Sequence, residues 1–115
     1  MNVTNDAVKV AIEKAELAAS IAASNYFRNV LNGVDQYACG FAWVKVYGVK
    51  GSTKLGKALM ANGFRKCYSG GLEYWMPGRV NCQNVDVHYE GAKAFAKVIK
   101  ESLGIEGCYA DSRLD

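Results

Sequence analysis

Near the start of the chain, apolar residues recur at the helical period. Val8, Ala11, Ala15, Ala18, Ala22, Tyr26 and Val30 fall on one face. The pattern predicts a long helix from about Asp6 to Leu31, with Thr4 or Asn5 as N-cap and Asn32–Gly33 as the stop. Val10, Leu17 and Ile21 form a second stripe that widens the apolar surface. At about 1.5 Å per residue this helix is about 39 Å long, more than a compact domain of this size measures across. It is therefore expected to bend near Ser20 or Ser24, or to pack part of its Ala-rich face on a second copy, giving a homodimer.

The period then changes to two. In Phe41–Tyr47, Ala42, Val44 and Val46 alternate with Phe41, Trp43, Lys45 and Tyr47, which predicts a strand. The small, β-branched set suits packing beneath helices. The aromatic set is expected either to face a ligand or to fill a second core under the N-terminal helix. Ser52 to Asn62 predicts a short helix capped by Ser52 and stopped by Gly63. Phe64–Tyr68 and Leu72–Met76 predict two strands joined by a Ser69-Gly70-Gly71 turn, and Pro77–Gly78 ends the second. A helix from Asp86, its expected N-cap, to Leu103 buries Val87, Gly91, Phe95, Val98, Ile99 and Leu103. Gly104 closes it, with Ile105 as the hydrophobic contact of the stop. Glu106–Asp111 predicts a last strand, and Ser112–Asp115 an exposed polar tail.

After the first helix the order is βαββαβ. The expected fold is therefore α+β: a long N-terminal helix (1–33), then a ferredoxin-like, four-stranded antiparallel sheet (38–113) with its helices on one face. The first and third strands then lie in the middle. The 115 residues, half of them hydrophobic and 22% charged, suit a single domain. No apolar run is long enough to span a membrane. The first residues lack a basic region followed by an apolar core, so a reducing, cytoplasmic setting is expected.

Charge is unevenly distributed. Between Gln36 and Asn84 lie Lys45, Lys50, Lys54, Lys57, Arg65, Lys66 and Arg79, with Glu73 the one acid. Phe41, Trp43, Tyr47, Phe64, Tyr68, Tyr74 and Trp75 are interleaved with them. Cations neutralise phosphate and aromatic rings stack on bases, so this combination points to nucleic acid. The expected site is Trp43 and Tyr47 for stacking, with Lys45, Lys50, Lys54, Lys57, Arg65 and Lys66 for charge.

Other chemistry is poorly served. Cys39, Cys67, Cys82 and Cys108 form no CxxC pair, so they are expected to be free, mostly buried thiols rather than a zinc site. His88, the one histidine, is expected on the surface of the last helix without a catalytic partner. Asp111 and Arg113 are expected to form a surface ion pair. Gly51–Ala58 approaches a Walker A loop but places Ala58 where a magnesium-binding hydroxyl belongs. Gly51, Ser52 and the following helix start, flanked by Lys50 and Lys54, retain the capacity to cradle a phosphate. No cofactor and no enzymatic activity are expected; an enzyme acting on a nucleotide-like small molecule is the third reading, behind the binding ones, because no acid–base pair is recognisable.

Two resemblances follow. The predicted topology resembles the RNA-recognition motif, which stacks bases on aromatics of its two central strands. The third strand, GGLEYWMP, departs from that family's signature. The blocks CGFAWVKVYG, FRKCYSGGLEYW, EGAKAFAKVIKESLG and CYADSRLD are similar to those of short uncharacterised proteins encoded by bacteriophages. That resemblance implies a phage accessory protein acting by binding, with inhibition of a host defence factor as the alternative to nucleic-acid or nucleoprotein binding.

Overall fold

The computed structural model describes residues 4–115. These form α1 (Asn5–Asn29), β1 (Gly40–Val46), α2 (Lys54–Ala61), β2 (Arg65–Lys66), β3 (Leu72–Trp75), α3 (Val85–Leu103) and β4 (Cys108–Leu114). The four strands make one antiparallel sheet in the order β2-β3-β1-β4, with β1 and β3 central.

Local chemistry sets the helix ends. Thr4 caps α1, its side chain accepting from the Ala7 N–H at 3.1 Å. Thr53, not Ser52, caps α2. Its hydroxyl donates to the Lys50 carbonyl at 2.7 Å and accepts from the Gly56 N–H at 3.0 Å, closing the turn and opening the helix together. Asn84, not Asp86, caps α3. Its side chain accepts from the Val87 N–H at 3.0 Å while its amide donates to the Gln36 carbonyl at 2.7 Å. Asp86 sits instead in the first turn, where a carboxylate favours the helix dipole. Gly104 ends α3 at φ 66° with Ile105 buried behind it.

The alternation in β1 fixes the sheet's two faces. Ala42, Val44 and Val46 are fully buried with Phe95 and Ile99 of α3 and Leu59 of α2. All three helices lie on this side, α3 against β1 and β4, and α1 along α3 and α2. The aromatic half of β1 is therefore not covered by α1. α1 also buries a face rotated from the expected stripe, with Ile12, Ala19 and Ala23 inside beside Val8, Ala11 and Ala15. Val10, Leu17 and Ile21 stay exposed. No bend or overhang is needed to house this helix. The molecule measures 43 × 26 × 20 Å, and α1 runs about 37 Å, within the long axis.

Three further expectations are corrected. β4 runs on to Leu114, pairing Arg113 with Phe41, and the Asp115 N–H donates to the Cys39 carbonyl. Ser112–Asp115 are exposed, as expected, but Ser112, Arg113 and Leu114 continue the strand, because backbone pairing runs on beyond Ala110 where the side chains give no apolar alternation. His88 is buried at 2% exposure, its Nε2 2.8 Å from the Cys82 carbonyl. A carbonyl only accepts, so Nε2 carries a proton and donates it, while Nδ1 has no hydrogen-bond partner among the described residues. Of the thiols only Cys108 is buried; Cys39 is exposed and Cys67 and Cys82 are half-buried.

α1 meets α3 through small residues. A Cβ on Gly91 would stand 2.8 Å from the Gly78 Cα and 3.3 Å from the Ala19 carbonyl. One on Gly78 would stand 2.9 Å from the Ala23 Cβ. Tyr74 of β3 ties α1 to the sheet, donating to Glu16 at 2.8 Å and accepting from Arg79 at 2.9 Å. Burial, with the Glu16 carboxylate, pushes its hydroxyl up to about 12.

Gly91→Ala tests the seam. Helix propensity alone favours alanine by about 1 kcal/mol. The added methyl meets backbone rather than a flexible side-chain end, so overpacking of about 1–3 kcal/mol is expected to win. Urea unfolding should show net destabilisation; a stabilised variant would mean that the seam is loose.

Candidate nucleic-acid interface

The strand register places a set of side chains together on the helix-free face. Trp43 pairs with Trp75 and Asp111, Lys45 with Glu73 and Tyr109, Phe41 with Arg113, and Arg65 with Glu73. Directly paired residues point to the same side, so all of these share the face that Trp43 occupies.

Aromatic rings occupy its centre. Trp43 and Trp75 stack with centroids 5.6 Å apart and planes 10° apart, and Phe41 lies 5.5 Å from Trp75. Trp75 remains 41% exposed. Two guanidinium groups flank the cluster from the outer strands. Arg65 of β2 sits 6.0 Å from the Trp75 ring, and Arg113 of β4 sits 5.9 Å from the Phe41 ring. Cation, rings and cation thus run diagonally over the sheet, three strand spacings or about 14 Å across, with Arg65 level with Lys45 and Arg113 level with Phe41. Arg65 also pairs with Glu73 at 3.1 Å. At the edge, Tyr47 and Tyr109 lie 6.3 Å apart, with Lys100 of α3 5.3 Å from Tyr109.

Lys45 behaves differently from the other cations. It is only 8% exposed, and its Nζ donates to Ser69 Oγ at 2.6 Å and Cys67 Sγ at 3.2 Å. The hydrogen bond to Cys67 raises its pKa against the opposing pull of partial burial. Hydrogen bonds from Ser69, through its side chain and backbone, and then from Lys45 hold the Cys67 thiol below its ordinary value.

The expected site residues therefore divide. Trp43, Lys45, Tyr47 and Arg65 belong to the open sheet side. Lys50 and Lys66 line a cleft of about 430 Å³ with Gly48, Gly51, Cys67 and the Gly70–Gly71 turn. Lys54 and Lys57 are exposed on α2, which packs on the opposite side of the sheet. The phosphate cradle expected at Ser52 loses its helix start, since α2 begins one residue later, after Thr53. Phe41, Trp75, Tyr109 and Arg113 join the face although the sequence pattern did not select them as site residues. The alternation of LEYW carried a signal for Trp75. Only the β1–β4 register places Arg113, which rests on Phe41 rather than pairing with Asp111.

Among the described residues, no three His, Cys, Asp or Glu side chains are placed to hold a metal ion. No helix among them is long and apolar enough to cross a membrane.

A Trp43→Ala, Trp75→Ala double-mutant cycle in urea should return a coupling of about 0.5–1.5 kcal/mol, the size of a stacked aromatic pair beyond its area burial. Additive losses would mean the two rings do not stack in solution.

Compared with family models, curated proteins and solved structures, the chain matches none.

Proposed function

We propose that this protein is a non-enzymatic binding module that takes single-stranded nucleic acid, free or within a nucleoprotein, on the helix-free face of its sheet. One observation carries the reading: on the helix-free face, exposed Trp75 and half-buried Phe41 and Trp43 cluster on the central strands with Arg65 and Arg113 at either side. Rings of this kind stack on any base, and guanidinium groups reach phosphate in bidentate fashion. Comparable aromatic sheet faces stack two or three bases. The order β2-β3-β1-β4, with α2 and α3 on one side, supports a ferredoxin-like description of the sheet. The bacteriophage-like sequence blocks support an accessory role in an infected cell's cytoplasm. A protein-binding inhibitor of a host factor is the alternative use of the same aromatic patch.

The test is fluorescence anisotropy with labelled single-stranded oligonucleotides at low salt, read with quenching of tryptophan emission. Arg65→Glu with Arg113→Glu is expected to leave the fold intact and weaken binding at least about tenfold, since each change reverses a phosphate contact. Trp75→Ala should cost about 1–3 kcal/mol of binding. Lys54→Glu with Lys57→Glu, on the far side of the sheet, should leave affinity within about twofold, the loss of long-range attraction alone. Binding lost in the α2 pair but kept in the arginine pair would move the site. No low-salt binding by the native chain would end the nucleic-acid reading in favour of the inhibitor.

We also propose that α1 self-associates. Asp6, Val10, Leu17, Ile21 and Arg28 share one exposed stripe. An antiparallel second copy centred on Leu17 sets Asp6 of each chain against Arg28 of the other. Light scattering at micromolar concentration should give twice the 12.5 kDa chain mass, and Leu17→Glu should return the monomer. A native chain that scatters as a monomer would remove the claim.

A further inference from the structure

We propose that the free edge of β4 is a second binding surface, which takes an extended acidic segment of a partner protein as a fifth, antiparallel strand. The Tyr47 N–H donates to the Gly107 carbonyl at 2.7 Å, and the Asp115 N–H to the Cys39 carbonyl at 3.0 Å. Hydrogen-bonded and non-bonded pairs alternate along an antiparallel ladder. The register therefore turns the N–H and C=O of Tyr109, Asp111 and Arg113 toward β1. Those of Cys108, Ala110, Ser112 and Leu114 turn outward, because β4 ends the sheet. Of this outward set, only the Ser112 N–H has a partner among the described residues, the Asp111 carboxylate at 2.8 Å. The rest is an open row of donors and acceptors about 20 Å long. Phosphate offers acceptors alone, whereas a polypeptide strand offers both at the same spacing.

Charge selects among such strands. On the helix side, α3 and β4 form a groove of about 490 Å³ lined by Lys93, Lys97 and Lys100, which the small Ala96, Cys108 and Ala110 leave open. Glu101 is the one acid among its lining residues. Glu90 holds Lys93 at 2.7 Å, but among the described residues no carboxylate oxygen lies within 4.0 Å of Lys97 or Lys100. Lys100 Nζ lies 5.3 Å from the Tyr109 ring, which brings an ammonium to the edge strand itself. Successive lysines here rise about 4.5–6 Å along the helix, and same-face positions on a strand repeat about every 6.8 Å. A segment with a carboxylate at every second residue thus meets two lysines at once. A second copy of this chain is a poor occupant. Pairing two β4 edges about a two-fold axis keeps both α3 helices on one side and turns their lysines toward each other.

The experiment follows backbone amides of the isotope-labelled full chain by NMR. The probe is an eight-residue peptide alternating glutamate and threonine, compared with its lysine–threonine counterpart. The glutamate peptide should shift the Ala110 and Leu114 amides and bind at least about tenfold more tightly than the lysine one. Cys108 and Ala110 pair with Val46 and Val44, so their side chains face the helices. Glutamates opposite them share that face and direct their own N–H groups at β4. N-methylation at the glutamates should therefore cost at least about tenfold, and N-methylation at the threonines less than about twofold. Lys97→Glu with Lys100→Glu, both exposed, should weaken the glutamate peptide about tenfold and admit the lysine peptide. Ala110→Pro, which removes an outward N–H and spares the bonds to β1, should weaken the glutamate peptide too. Equal or reversed effects of the two methylations, or no shift at Ala110 and Leu114, overturn strand addition. Equal affinity for the two peptides overturns the acidic class. Shifts of these amides on dilution without peptide, or stronger shifts with a single-stranded oligonucleotide, assign the edge to a second copy or to nucleic acid and overturn the proposal.

Discussion

The approach of α1 to α3 governs where everything else can go. Ala15, Ala19 and Ala23 on one helix and Gly91 on the other bring two backbones together, with Gly78 wedged at their crossing. Small side chains bury little area individually. They allow many backbone atoms to reach contact distance, and dispersion summed over such a seam is large. Once α1 is committed to this partner, no described element is left to cover the far side of the sheet. The bare aromatic face follows from a helix–helix contact on the other side of the molecule.

Leaving that face uncovered is costly to an isolated chain. Phe41, Trp43 and Trp75 form a contiguous apolar patch, and large exposed patches on soluble proteins mark interaction surfaces. Part of the cost is offset internally. Trp43 and Trp75 shield one another by stacking, and the guanidinium groups of Arg65 and Arg113 sit 6.0 Å and 5.9 Å from the outer rings. The patch is thus held in shape before any partner arrives, which lowers the ordering entropy of binding. Lys45 contributes to this rigidity at the neighbouring corner, pinning the β2–β3 turn through Ser69 and Cys67.

Much of this architecture is legible in the residue pattern because one face of each element is dry. The β1 alternation and the α3 stripe both encode which side meets water, and both place Val44, Phe95 and Ile99 inside. The hairpin is legible because Gly70 and Gly71 adopt positive φ, at 101° and 77°. What the pattern hides is pairing. The end of β4 has no dry face, so its length and its Arg113–Phe41 neighbour emerge only from backbone hydrogen bonds to β1. α1 offers apolar residues around much of its circumference, so periodicity alone does not select Ile12 and Ala19 over Val10 and Leu17. The burial of Lys45 is illegible for a similar reason. Its acceptors lie more than twenty positions downstream, in a turn whose proximity depends on the β1–β3 register.

Dividing the basic segment also changes its electrostatics. As a linear run, residues 36–84 look strongly cationic. Folded, the open sheet face holds Lys45, Arg65 and Arg113 against Glu73 and Asp111, while Lys54 and Lys57 belong to the other side. Lys45 is already engaged with Ser69 and Cys67, and Arg65 shares its charge with Glu73. Few cations remain free to displace counterions. Each phosphate neutralised on a single strand contributes a slope of about −0.7 to the salt dependence. A face with two guanidinium groups as its main phosphate contacts therefore implies a shallow slope, with ring stacking supplying the larger share of affinity. A steep slope would require the α2 lysines as well, and no single flat ligand reaches both sides of the sheet at once.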